Sequence, residues 1–157
     1  MKFYACDFSE TDLSEMQFIN CHFWHPDKQV GCDFSGAILK EASFVYGDLT
    51  MSTFKSADLF GIEIRDSRAM GCNFCQARFM KKISSRLWLC SAFITKSNLS
   101  YADFSGAILE ECDLWENLWN RTIVTGANLS GSNLSGGDFT SFNSRSADVT
   151  NCGLRGL

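Results

Sequence analysis

Asn98-Leu99-Ser100-Tyr101-Ala102-Asp103-Phe104-Ser105-Gly106-Ala107-Ile108-Leu109-Glu110-Glu111-Cys112-Asp113-Leu114 is the stretch whose reading decides the fold. A large apolar residue stands at every fifth position, at Leu99, Phe104, Leu109 and Leu114. Two residues before it comes a small one (Ala102, Ala107, Cys112), and one residue before it an Asp or Asn (Asn98, Asp103, Asp113). A period of five fits neither the helix, at 3.6, nor the strand, at 2. It is an internal repeat, and an internal repeat decides the architecture before any local propensity does.

The same phase runs on through Trp119, Val124, Leu129, Leu134, Phe139, Ser144, Val149 and Leu154. Upstream, beyond a gap, it runs through Phe34, Leu39, Phe44, Leu49, Phe54, Leu59, Ile64, Ala69, Phe74 and Phe79. A first block, offset by one residue, holds Phe3, Phe8, Leu13, Phe18 and Phe23. Only Ala69 and Ser144 break the rule of a large apolar side chain. The unit reads small, Asp/Asn, Leu/Phe, polar, any, which is the pentapeptide-repeat signature. It predicts an all-β fold, a right-handed quadrilateral parallel β-helix. Each pentapeptide makes one side of a square, four make a coil, and coils stack at about the 4.8 Å strand spacing. The small and the large residue point inward, and each buried Leu or Phe contributes roughly 1.5–3 kcal/mol. One domain over residues 1–157 is expected, a rod of some seven coils and roughly 35 Å at that spacing.

The repeat is interrupted twice. Loop A, about residues 24–31, comprises Trp24, His25, Pro26, Asp27, Lys28, Gln29, Val30 and Gly31. It shifts the register by one and holds the only proline of the chain. Loop B, about residues 80–91, comprises Met80, Lys81, Lys82, Ile83, Ser84, Ser85, Arg86, Leu87 and Trp88, with Leu89, Cys90 and Ser91 leading back to Leu99 in the original phase. Interruptions of a rigid scaffold are common places for function. Loop B mixes Lys, Arg, Trp and Met, a contact-surface composition unlike the Gly/Ser of a spacer. Neutral insertion on a tolerant scaffold is the competing reading for both loops.

Composition narrows the function. The 157 residues are 45% hydrophobic with a net charge of −4, so a core can form and a basic nucleic-acid footprint is absent. No sequence-specific nucleic-acid binding is expected. The chain shows neither a signal-peptide pattern nor an apolar run of membrane length, so a cytoplasmic protein with reduced cysteines and no membrane contact is expected. Cys72-Asn73-Phe74-Cys75 has a metal or redox spacing, but the repeat turns Cys72 inward and Cys75 outward. Six of the eight cysteines occupy the small inward position, where a thiol serves as a compact hydrophobe. The two histidines, His22 and His25, have no evident nucleophile or carboxylate set, so no enzyme, metal or cofactor is expected. Ten carboxylates precede a large residue: Asp7, Asp12, Asp33, Asp48, Asp58, Glu63, Asp103, Asp113, Asp138 and Asp148. They read equally as a solvated face or as an acidic pattern that imitates DNA phosphates.

Several segments go beyond the generic repeat. They are Gly61-Ile62-Glu63-Ile64-Arg65, Cys90-Ser91-Ala92-Phe93-Ile94, Asn98-Leu99-Ser100-Tyr101-Ala102, Leu109-Glu110-Glu111-Cys112-Asp113-Leu114-Trp115-Glu116-Asn117 and Gly131-Ser132-Asn133-Leu134-Ser135-Gly136-Gly137. In these, and in the positions of both loops, the chain resembles the Qnr-type quinolone-resistance proteins. Trp115 and Ser135-Gly136-Gly137 look most like the B/D branch. The resemblance implies a DNA-mimicking rod that binds DNA gyrase and topoisomerase IV and protects them from fluoroquinolones. It implies that loop B contacts the enzyme–DNA complex and that loop A positions loop B. A pentapeptide-repeat scaffold with a different partner, or an inactive relative, is the alternative.

The chain departs from that family's pattern by starting late and by carrying Leu118 where an Arg is usual. It also stops at Leu157, short of the last coils and C-terminal helix through which the resemblance implies a homodimer. The expectation of a homodimer is correspondingly weak. Leu154 and Leu157 are expected to leave an apolar end that favours self-association or lowers solubility.

Overall fold

The computed structural model describes residues 1–156; Leu157 lies outside the described residues. The chain winds as a right-handed four-sided parallel β-helix. Most wall residues pair with the residue 20 positions on, as in Thr53 with Asn73 and Asn98 with Leu118. Where the walls are longest they form strands: β1 (Gln17–Ile19), β2 (Ser43–Val45), β3 (Ile62–Arg65) and β6 (Ala92–Thr95). These make one parallel sheet in the order β1-β2-β3-β6. The remaining pair, β4 (Met80–Lys82) and β5 (Trp88–Cys90), is antiparallel and belongs to loop B.

The expected core positions are the observed ones. Phe34, Leu39, Phe44, Leu49, Phe54, Leu59, Ile64, Ala69, Phe74 and Phe79 are all completely buried. The square section has four faces. Face 1 carries Phe3, Phe23, Leu49, Ala69, Leu99, Trp119 and Phe139; face 2 begins at Phe8, face 3 at Leu13 and face 4 at Phe18. On face 2 the rings of Phe8, Phe34, Phe54, Phe74 and Phe104 stack with centroids 5.0, 4.9, 5.0 and 4.5 Å apart. That is the coil spacing, so the register of the wall and the stacking of the rings enforce each other.

Two details differ from the sequence reading. The repeat resumes after loop B at Ile94, with Ala92 as its small residue, and not at Leu99; both are buried. Phe93, between them, is the large side chain that faces out. At Ser144 the roles within one pentapeptide are exchanged. Ser144 is exposed, while Phe142, at the small position, packs edge-on against Trp119 at 5.9 Å. Phe142 thus fills the space that Ser144 leaves. At the last coil Val149 and Leu154 stay about half exposed, as expected for Leu154.

The corners follow one rule. With Ile94 counted there are 28 pentapeptides, and 26 carry a positive φ at their fifth residue. Eight of these residues are glycine, such as Gly71 at +63°; the others are L-residues, such as Glu10 and Tyr101. Each L-residue in that region costs roughly 1 kcal/mol relative to glycine. The two pentapeptides without such a corner are those of Phe23 and Phe79, where loops A and B emerge.

Candidate functional site

Wall pairing fixes how the loops are inserted. Across loop A the partner spacing rises from 20 to 26, as in Asp7 with Asp33, and across loop B to 30, as in Arg68 with Asn98. Six inserted residues shift a period of five by one, and ten leave it unchanged. Loop A replaces the corner between faces 1 and 2, loop B that between faces 3 and 4. The loops therefore leave the rod at diagonally opposed corners. Among the described residues no hydrogen bond, ion pair or ring contact joins them, so loop A does not position loop B by touching it.

Loop A is a tight turn. The His25 N–H donates to Val30 O at 2.9 Å, closing an exposed tip of Pro26, Asp27, Lys28 and Gln29. The His25 ring lies 5.0 Å from that of Tyr4, and Trp24 is half-buried beside it. Gly31 anchors the return. A Cβ there would lie 2.4 Å from the main chain of Met51 and Ser52, a contact no side chain tolerates.

Loop B is a β-hairpin, not an irregular insertion. Met80 pairs with Cys90, Lys81 with Leu89 and Lys82 with Trp88. The Ile83 and Ser84 N–H groups both donate to Leu87 O, closing a tip that contains Ser85 and Arg86. The base is riveted to the wall: Ser91 N–H donates to Phe79 O at 2.9 Å, and Gly61 N–H donates to Ser91 O at 2.8 Å. On face 3 the ladder runs from Asp12 to Arg78 and resumes at Ile108; among the described residues no bridge joins Arg78 to Ile108. The hairpin stands over that break.

Its surface is both apolar and basic. Ile83, Leu87, Trp88 and Leu89 are each half or more exposed, among the exposed cations Lys81, Lys82 and Arg86. The Lys81 ammonium lies 5.7 Å from the Phe60 ring and that of Lys82 5.6 Å from the Trp88 ring. On the side of the later coils, Trp88, Leu89 and Cys90 overhang a groove of about 570 Å³ floored by Ile108, Glu110, Glu111 and Asn128. The sequence reading assigned none of these floor residues to a site; their signal lay in the 20-residue stacking of the wall.

The other reactive groups have structural duties. Cys72 is buried and Cys75 lies on the outer surface, as the repeat required. The inward cysteines do more than fill space. Cys72 Sγ donates to Leu49 O and Cys152 Sγ to Leu129 O, each at 3.0 Å. Burial pushes the Cys32 thiol up to about 11 and that of Cys112 to about 12, so both remain protonated. His22 is exposed on face 1 and shares with Asp48, Arg68, Lys96 and Leu118 a groove of about 580 Å³ at the corner of faces 4 and 1. Leu118 there stands between Asn98 and Asp138 in the wall column.

A rod of stacked pentapeptides is also what known proteins display. The pentapeptide-repeats family profile matches residues 89–115 and 110–143. The solved structure of full-length QnrB1, described as a plasmid-mediated fluoroquinolone resistance protein, superposes with a TM-score of 0.91 at 49% identity. The match covers 99% of this chain and 76% of that one. The chain belongs to the Qnr family of pentapeptide-repeat proteins.

Two curated Qnr relatives agree. QnrB96 of Scandinavium goeteborgense, a quinolone resistance pentapeptide repeat protein, is 54% identical over 122 residues, which is 78% of this chain and 57% of the relative. QnrB4 of Escherichia coli is 53% identical over 125 residues, 80% of this chain and 58% of the relative. The Qnr chain described here thus spans less than two thirds of the length of either. A cyanobacterial pentapeptide-repeat protein, Rfr23 of Cyanothece 51142, shares the fold alone, with a TM-score of 0.50 at 15% identity. No helix among the described residues is long and apolar enough to cross a membrane.

Proposed function

We propose that this Qnr chain binds the type II topoisomerases DNA gyrase and topoisomerase IV and protects them from fluoroquinolones. It acts as a binding protein in the cytoplasm and not as a catalyst. Loop B, from Met80 to Trp88, makes the principal contact, and loop A, from Trp24 to Val30, makes a separate one from the opposite corner. The observation that carries this reading is the hairpin of loop B. A rigid rod holds an exposed indole, three aliphatic side chains and three cations on one projecting element. That is the composition of a protein–protein hot spot. The likeness to QnrB1, described as a fluoroquinolone resistance protein, supports the link to quinolone action.

The acidic columns support the DNA-like surface in this proposal. Asp7 and Asp33 stack on face 2, and Asp103 lies further along the same column. Stacked carboxylates at multiples of the coil spacing form a regular anionic surface that a DNA-binding enzyme can accept.

The test is gyrase supercoiling under ciprofloxacin, with this protein titrated in as purified. Restored supercoiling is the expected result. A folded protein that restores nothing would overturn the proposal and leave the rod with a different partner.

A further inference from the structure

Loop B has a second side. Between the hairpin and face 3 lies a cavity of about 330 Å³ whose walls include Lys40, Asp58, Arg78, Lys81, Lys82 and Trp88. Four of these side chains are cations and one is an anion. Asp58 is already shared, with Lys40 Nζ at 3.3 Å and Arg78 Nη2 at 3.7 Å. Among the described residues Lys81 and Lys82 pair with no carboxylate; each lies over an aromatic ring instead. A local excess of three positive charges therefore sits on a protein whose net charge is −4.

We infer that this cavity receives a carboxylate side chain from an acidic segment of the protein that loop B contacts. The inference deepens the proposed function and rests on its claim that loop B meets a protein. The basic excess is walled in along the rod. Face 3 carries Glu41 next to Lys40, Asp12 and Glu15 in the coil before it, and Glu110 and Glu111 in the coil after Arg78. Glu41 adjoins Lys40, and the others lie about one coil spacing, roughly 5 Å, from the nearest cavity wall, within the Debye length of about 8 Å at physiological salt. A long polyanion such as a nucleic-acid strand laid along this face would meet them; a single carboxylate reaching in beside Trp88 would not. The geometry suits such a group. Lys82 and Trp88 are cross-strand partners on the rigid hairpin, and Lys40 and Arg78 are held on the wall by Asp58. The cations are thus in place before the ligand arrives, which lowers the ordering cost of binding.

The probe is a tetraglutamate peptide, with tetraglutamine and a short DNA duplex as comparisons. The readout is the indole N–H resonance of Trp88, identified among the four tryptophans of the chain as the one lost in Trp88→Phe. Tetraglutamate is expected to shift it saturably and tetraglutamine not to shift it. Lys82→Gln and Lys40→Gln, both exposed positions, should each weaken the binding about fivefold, the order expected for one lost charge pair. Lys55→Gln, on face 2, should leave it unchanged. An unmoved indole, tighter binding of the duplex, or undiminished affinity in Lys82→Gln would overturn the inference. If the peptide fails to bind while the unaltered protein still protects gyrase, the inference falls and the proposed function stands.

Discussion

Ser97 is buried in the wall, and its hydroxyl meets three main-chain groups. It accepts the N–H of Ser67 at 3.1 Å, and its hydroxyl faces the carbonyls of Thr95 and Ile64, at 2.9 and 3.4 Å. Ser67 does the same for Gly47 one coil earlier, and Asn117 for Ser97 one coil later. At these coils the small inward position is therefore a polar ladder that satisfies main-chain groups the sheet leaves over. Ser97→Ala would strand the Ser67 N–H in the interior, a cost of about 1–3 kcal/mol. Urea unfolding should show that loss, and Ser97→Cys should recover part of it, since the Cys32 sulfur already accepts the Cys6 N–H at 3.3 Å. An alanine variant as stable as the parent would show the ladder to be idle. The sequence revealed that these positions are small and face inward. It did not reveal why some are polar, because the reason is a backbone group 20 or 30 residues away.

At the scale of the single turn, the Asp and Asn of the repeat have a local task. Asp7 Oδ1 accepts the N–H of Ser9 at 2.9 Å, and Asp12, Asp33, Asp48, Asp103, Asp138 and Asp148 each accept the N–H two residues on. Neither a solvated face nor a DNA-like pattern required this; it is an Asx turn at the mouth of each corner. Glu63 differs, pairing with Arg65 at 3.0 Å. For Asp7, Asp12 and Asp138, hydrogen bonds from the following Ser or Thr side chain and main chain hold the carboxyl below the usual range. For Asp148 the Thr150 main chain contributes most. At Asp103 burial raises the pKa, but the Ser105 and Cys75 hydrogen bonds outweigh it.

A carboxyl depressed in the folded state stabilises it above the unfolded pKa. That stabilisation is lost as pH falls through the folded pKa. The thermal midpoint should accordingly hold near neutral pH and drop below about pH 4. A midpoint unchanged at about pH 3 would remove the turns from the account of stability. The loops were legible as interruptions, through the offset at Phe34 and the lost polarity after Phe79. The hairpin of loop B was not, because its pairing of Met80 with Cys90 has no period for a sequence pattern to reveal.

For the whole molecule, the rod and the hairpin have separable roles. The core is one continuous cluster from Phe18 to Leu134, and none of Lys81 to Arg86 belongs to it. The hairpin is joined to the wall through Phe79, Ser91 and Gly61, so its outer part can be removed without touching a core side chain. The fold was readable throughout because the same five-residue rule is restated 28 times, and single exceptions such as Ser144 cannot obscure it. The cavity of Lys40, Asp58 and Arg78 was not read, since its residues are brought together by coil stacking and then roofed by the hairpin. The most direct measurement compares the intact protein with a variant lacking Lys81 to Arg86. Both are assayed for rescue of ciprofloxacin-inhibited gyrase, and both are checked for the same β-rich circular dichroism. Loss of rescue with the rod intact is the result expected if loop B carries the protection. Equal rescue by the shortened protein would contradict that and move the function to the rod itself.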